Sequence, residues 1–386
     1  MKVRLGDYIE EYSVRNKKGE DIPVYSVTNT QGFCKDYFGK EVASKDKTTY
    51  KIVPRGCFAF NPSRINVGSV DWQRNEERVI VSPLYNVFSV SEQLDQQYLY
   101  YYLKSDFALQ RIRAVATGSV RDNLKLAMLY EFPIELPEIT EQRIIVDKLD
   151  RVKQIISLRE KEVQALDDLI KARFVEMFGD PVSNPFELPV KKLSELGSLD
   201  RGRSQHRPRN APELLGGPYP LIQTGEVASA GLYITEYHNT YSEIGLKQSK
   251  MWKAGTLCIT IAANIAQTAI MTFDACFPDS VVGFVPYNEV NALYMHYWFG
   301  FFQKILEEQA PQVAQKNINL KILSNLNVIV PETRMIKQFE DFVSQVDKSK
   351  AVIQKSLDEM QLLFDSLMQQ YFGCLRRKRN RYELCP

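Results

Sequence analysis

The side chains in this sequence best suited to chemistry are those that match nucleobase edges, and they fall in short runs. Asn61-Pro-Ser-Arg-Ile-Asn-Val-Gly-Ser69 follows the strand-like Cys57-Phe-Ala-Phe60 and offers Asn61, Ser63, Arg64, Asn66 and Ser69 from one loop. A guanidinium fits the O6 and N7 acceptors of guanine, and an Asn or Gln amide fits N6 and N7 of adenine. Arg201-Gly-Arg-Ser-Gln-His-Arg-Pro-Arg209 carries four arginines in nine residues, with Arg201, Arg203, Gln205 and Arg207 as candidate contacts. Asn264 and Gln267 form a polar pair inside an otherwise apolar run. The loop Thr117-Gly-Ser-Val-Arg-Asp-Asn-Leu-Lys125 adds Arg121, Asn123 and Lys125, and a later polar stretch adds Lys316, Asn317 and Lys321. Taken alone, each run is better read as a solvated loop. A run of this kind in each of two related domains, whose relation is drawn out below, favours DNA recognition.

Catalysis finds little support. Asn61-Pro62-Ser63 has a superficial likeness to the N-P-P-aromatic signature of amino-group methyltransferases, but the second proline and the aromatic ring are missing. Neither a G-x-x-x-x-G-K-[ST] phosphate loop nor a G-x-G-x-x-G turn occurs. Three histidines and six scattered cysteines without a C-x-x-C make a zinc site improbable and point to a reducing cytoplasm. The longest apolar run, Leu257 to Met271, is interrupted by Asn264 and Gln267, so no membrane span is expected. A net charge of +2 gives no strong basic excess, so any grip on DNA must come from local clusters or from partners. Aromatic clusters such as Tyr98-Leu-Tyr-Tyr-Tyr102 sit at helical spacing and are read as core. The basic run Arg376-Arg-Lys-Arg-Asn-Arg381 is expected to be disordered, or a phosphate contact at best.

The elements that must position these loops are set by a repeat. Pro137 to Gly179 recurs without a gap 194 residues later, at Pro331 to Gly373. Ile145, Leu149, Val152, Ile156, Val163, Leu166, Ile170 and Met177 hold a and d positions in the first copy, interrupted by Arg159 and Arg173. Phe339, Val343, Val346, Ile353, Leu357, Met360, Phe364, Leu367 and Tyr371 do so in the second, interrupted by Lys350. Such a seam over five heptads predicts two long helices that pack on each other, preferably antiparallel, as an intramolecular coiled coil acting as a spacer. Glycine should stop each helix.

The expected organisation is α+β: a globular domain over residues 1–136, a helix over 137–180, a second domain over 185–330, a second helix over 331–373 and a basic tail over 374–386. The domains share an order of elements. Arg4-Leu-Gly-Asp-Tyr-Ile9 matches Lys192-Leu-Ser-Glu-Leu-Gly197, and Pro54-Arg-Gly-Cys-Phe-Ala-Phe60 matches Lys253-Ala-Gly-Thr-Leu-Cys-Ile-Thr260. Tyr98-Leu-Tyr-Tyr-Tyr-Leu103 matches Tyr294-Met-His-Tyr-Trp-Phe299, and Asn123-Leu-Lys125 matches Asn319-Leu-Lys321. One uninterrupted helix is expected from Asp95 to Arg113. The helices have stayed in register while the domain loops have drifted, a pseudo-twofold repeat of two α/β units.

In this order of parts the chain resembles the DNA-specificity (S) subunits of type I restriction-modification systems, over essentially its whole length. Leu136-Pro-Glu-Ile-Thr-Glu-Gln-Arg143 is similar to the family's L-P-P-x-x-E-Q-x start of the first helix, with Glu138 for the second proline. Val330-Pro-Glu-Thr-Arg-Met-Ile-Lys337 has lost the Glu-Gln pair. Thr117-Gly-Ser-Val-Arg121 before Asn123-Leu124 is also similar to a family motif. The resemblance implies two target-recognition domains that read double-stranded DNA. It implies two methyltransferase (M) subunits that methylate adenine with S-adenosylmethionine, and restriction/translocase (R) subunits that use ATP and Mg2+. All that chemistry would lie on the partners, with no cofactor on this chain. Two rivals stay open: a specificity subunit of a type IIB-like system, and a coiled-coil scaffold with no DNA role.

Overall fold

The computed structural model describes every residue except 36–45, 117–122, 263–264, 310–317, 374, 379–380 and 385–386, and gives backbone alone for 304–309, 375–378 and 381–384. It divides into two compact units, residues 1–160 with 354–386 and residues 161–353. Among the described residues no helix is long and apolar enough to cross a membrane.

Each unit is built to one plan. In the first, strand Lys2–Arg4 pairs antiparallel with Pro133–Glu135. A four-stranded sheet then runs in the order Ile9–Glu11, Asn86–Val90, Phe58–Phe60, Val70–Trp72. In the second, Val190–Lys192 pairs with Asn327–Ile329. Its sheet runs Gly197–Arg201, Val281–Pro286, Leu257–Thr260, Thr268–Met271, with Tyr233–Ile234 added in parallel. Small details repeat. Leu5 N donates to Phe132 O at 2.8 Å and Leu193 N to Leu326 O at 2.9 Å. Gly56 (φ +87°) and Gly255 (φ +85°) hold the same left-handed turn before the third strand, a conformation that costs a side chain dearly.

The Tyr98 and Tyr294 segments also correspond. Asp95 caps the first helix, accepting from Gln97 N and Tyr98 N, as Asn291 accepts from Tyr294 N at 2.7 Å. The buried phenol of Tyr98 donates to Glu135 O at 2.9 Å, and that of Tyr294 donates to Ile329 O at 2.8 Å. These aromatic residues are core. The expected single helix from Asp95 to Arg113 is two, Gln96–Lys104 and Asp106–Val115. Ser105 breaks it, because its extended backbone and buried hydroxyl cap the second helix at Ala108 N.

The long helices run Ile139–Phe178 and Thr333–Phe372, and each is followed by its glycine. They lie antiparallel. In the first unit Ile145 and Leu149 share a core with Phe364, Leu367 and Phe372. In the second, Ile170 and Phe174 share one with Ile336, Phe339 and Val343. Lys350, the polar break in the second seam, is 2.5 Å from Asp167. The seam alone does not explain the burial, however. Phe174 and Phe178 lie off it or at its end, yet both are fully buried, because they face the domain core and stack around Tyr294 and Phe339.

A candidate nucleic-acid interface

In each unit the loop between the third and fourth strands of the sheet is held by the segment ahead of the long helix. Phe60 is registered against Val70, and Ile259 against Thr268. The loops between them, 61–69 and 260–267, are therefore equivalent. Leu124 N donates to Pro62 O at 3.1 Å in the first unit, and Ile318 N to Ile261 O at 3.0 Å in the second. Those donors lie 194 residues apart, the spacing of the helices. The short helices that follow, Leu126–Tyr130 and Leu320–Ser324, keep that spacing too. Asn319-Leu-Lys321 is therefore two residues out of register with Asn123-Leu-Lys125. Asn319 corresponds to Lys125 and caps its helix by accepting from Ile322 N at 2.9 Å.

In the first unit Arg64 is exposed at the tip of the 61–69 loop, beside Val67, which is 50% exposed. Asn61 Oδ1 accepts from Ser63 N at 3.1 Å and from Ser63 Oγ at 3.0 Å. An amide whose oxygen fixes a turn in this way cannot read adenine with both halves, which leaves that geometry to Asn66. Ser69 is 3% exposed and faces the core, so it presents no surface to a duplex. Asn123 and Lys125 are exposed, and Arg121 lies outside the described residues.

Folding adds two cations that no local pattern marked. Lys104 Nζ donates to Gly68 O and, at 3.1 Å, to Asn29 O, while Arg113 Nε donates to Asn66 O at 3.2 Å. They flank the loop from two helices, so only the Ser105 break aims both at it. Burial brings the Lys104 ammonium down to about 8, with the Asp71 carboxylate pulling the other way. Close by, Arg74 pairs with the buried Asp71 at 2.9 Å and lies over the Trp72 ring at 4.5 Å.

In the second unit Arg201, Arg203, Gln205 and Arg207 are exposed, and so is Lys321. Gln267 is half-buried beside Thr268, while Asn264, Lys316 and Asn317 lie outside the described residues. The arginine loop and the 260–267 loop leave the same end of the sheet. Arg201 is registered against Val282, and Thr260 against its neighbour Val281.

The type I restriction modification DNA specificity domain model matches this chain twice, at residues 3–167 and 185–361. The type I restriction enzyme MjaVIII specificity subunit of Methanocaldococcus jannaschii is 25% identical over 77 residues, 20% of this chain and 18% of that protein. The match thus spans less than a fifth of that relative's length. A chain solved for complex assembly and conformational transition of a type I R-M system has a TM-score of 0.60 at 18% identity, over 96% of this chain and 97% of that one. The type I restriction-modification S subunit from M. genitalium has a TM-score of 0.55 at 14% identity, over 97% and 96%. At these identities the likeness to the solved chains is one of fold.

Proposed function

This chain belongs to the family of type I restriction modification DNA specificity domains, and on that premise we propose that it reads a bipartite, asymmetric double-stranded DNA site. Residues 1–136 and 185–330 each read one half. The chain itself is not catalytic. It directs adenine methylation by two methyltransferase subunits carrying S-adenosylmethionine, and restriction by translocase subunits using ATP and Mg2+, in the cytoplasm. One observation carries the reading. A single fold occurs twice with several of its internal hydrogen bonds kept, while the loop at the same place in each sheet carries different side chains: Arg64 and Asn66 in one, Gln267 in the other. A scaffold gives no reason for that pattern. Two readers of unlike half-sites do.

The test is to exchange residues 185–330 for those of a relative and sequence the methylated motif made with the partner subunits. One half of the motif should change and the other stay, and a change in both would end the modular reading. Within the first domain, Arg64→Ala should weaken specific binding by about 1–3 kcal/mol and relax one base position. Titration of the variant against single-base variants of the motif checks this. Equal losses at every position would make Arg64 a phosphate contact instead.

A further inference from the structure

Resting on that reading, we propose that the Arg201–Arg209 loop seats a phosphodiester of the DNA backbone rather than a base edge. The loop is tied down along its length. Gly202 N donates to Val281 O at 2.9 Å and Arg203 N to Phe277 O at 3.1 Å. Gln248 Oε1 accepts from Gln205 N at 2.6 Å and His206 N at 3.1 Å, and Ser249 Oγ donates to Arg203 O at 2.8 Å. Gly202 has no room for a side chain, since a Cβ would lie 2.3 Å from the carbonyl oxygens of Phe277 and Pro278. Arg207, though exposed, is folded back onto its own loop. It donates to Ser204 O at 2.6 Å and His206 O at 2.9 Å, and stands 3.6 Å from Asp279. A guanidinium used in this way cannot present its fork to guanine.

Arg209 lies 2.6 Å from the same Asp279. Two guanidinium groups thus share one carboxylate, which leaves net positive charge at the edge of a recess of about 260 Å³. Ser204, Arg209, Asn210, Thr224, Asn239 and Ser280 line it. Ser204 is 5% exposed, and its Oγ has no hydrogen-bond partner among the described residues. An unpaired buried hydroxyl is costly and calls for an acceptor. Shape decides which acceptor enters. Base edges lie on the groove floor and are met by protruding side chains, whereas a phosphate projects from the duplex and can enter a hollow. Hydroxyl and amide donors beside an arginine suit phosphate oxygens, which position a protein without reading sequence.

The test uses the full chain assembled with its methyltransferase partners and a duplex carrying its methylated motif, titrated across salt concentrations. Arg209→Ala should weaken binding about tenfold, the equivalent of one charge-assisted hydrogen bond. It should do so equally on matched and scrambled duplexes, lower the slope of log K against log salt by about 1, and leave the methylated motif unchanged. Because the variant also leaves Asp279 with Arg207 as its one remaining guanidinium partner, Arg209→Ala with Asp279→Asn is measured beside it. The same lowered slope supports a local contact, and recovery to the wild-type slope overturns it. An affinity loss confined to the matched duplex, or a relaxed base, would overturn the phosphate seat while leaving DNA reading in place. A wild-type complex that prefers no motif would overturn both.

Discussion

Replacing Gln142 by alanine should destabilise the first unit by about 3–5 kcal/mol, more than the loss of any candidate DNA contact. Gln142 lies in the first turn of the first long helix and is completely buried. Its Nε2 donates to Gln93 O and Pro137 O, both at 2.9 Å, and its Oε1 accepts from Asp95 N at 2.9 Å. Three backbone groups from two segments would lose their partner at once, and an unsatisfied buried group costs about 1–3 kcal/mol. Gln142→Met separates the causes, because it fills the volume but makes none of the bonds. It should retain most of the loss, read as a lowered urea midpoint at unchanged slope. A methionine variant as stable as the wild type would show that packing, not hydrogen bonding, holds this junction. The 194-residue counterpart is Ile336, 3% exposed, which holds the equivalent place by packing alone.

Acidification should weaken the second unit through His296. Burial holds this imidazole down at about 4, even though it is hydrogen-bonded to Thr268 at 3.0 Å. The ordinary value is about 6.5, so between pH 6.5 and 4 the unfolded chain binds the proton and the folded chain does not. Stability therefore falls as pH falls through that window, by about 3 kcal/mol when complete at 1.36 kcal/mol per pH unit. His296 lines a cavity of about 520 Å³ that Asp167, Asp347, Lys171 and Lys350 line too. Burial raises the Asp347 carboxyl, which gives a slope of opposite sign. The comparison must therefore be between the wild type and His296→Gln at each pH. The gap between their unfolding free energies should change by about 3 kcal/mol between pH 7 and pH 4. A constant gap would mean that His296 takes up its proton over the same pH range in the folded and the unfolded chain, and so is not held down by burial.

The heptads, the glycine stops and the 194-residue offset predict the long helices because each depends on neighbours a few positions away. The likeness of Tyr98 to Tyr294 was legible for the same reason, since both sit on one helical face. The break at Ser105 was not, because an apolar period continues across it and only tertiary packing buries its hydroxyl. Arg64 could be picked out as a loop arginine. Lys104 and Arg113 could not, because they reach the loop carbonyls only after two helices dock. Asn61 was legible as a polar loop residue, but its engagement in a turn depends on a side-chain torsion that composition does not report.

The division of the chain has a consequence for synthesis. The second unit is one unbroken stretch, residues 161–353, set within the two pieces of the first. The first unit's core includes Phe372, 5.0 Å from Tyr98 and 6.4 Å from Tyr102. A ribosome therefore releases every residue of the second unit before the first can close over its own tyrosines. The domain made first is the one finished last, and until the final helical turns emerge its tyrosines wait without the Phe372 ring that packs on them.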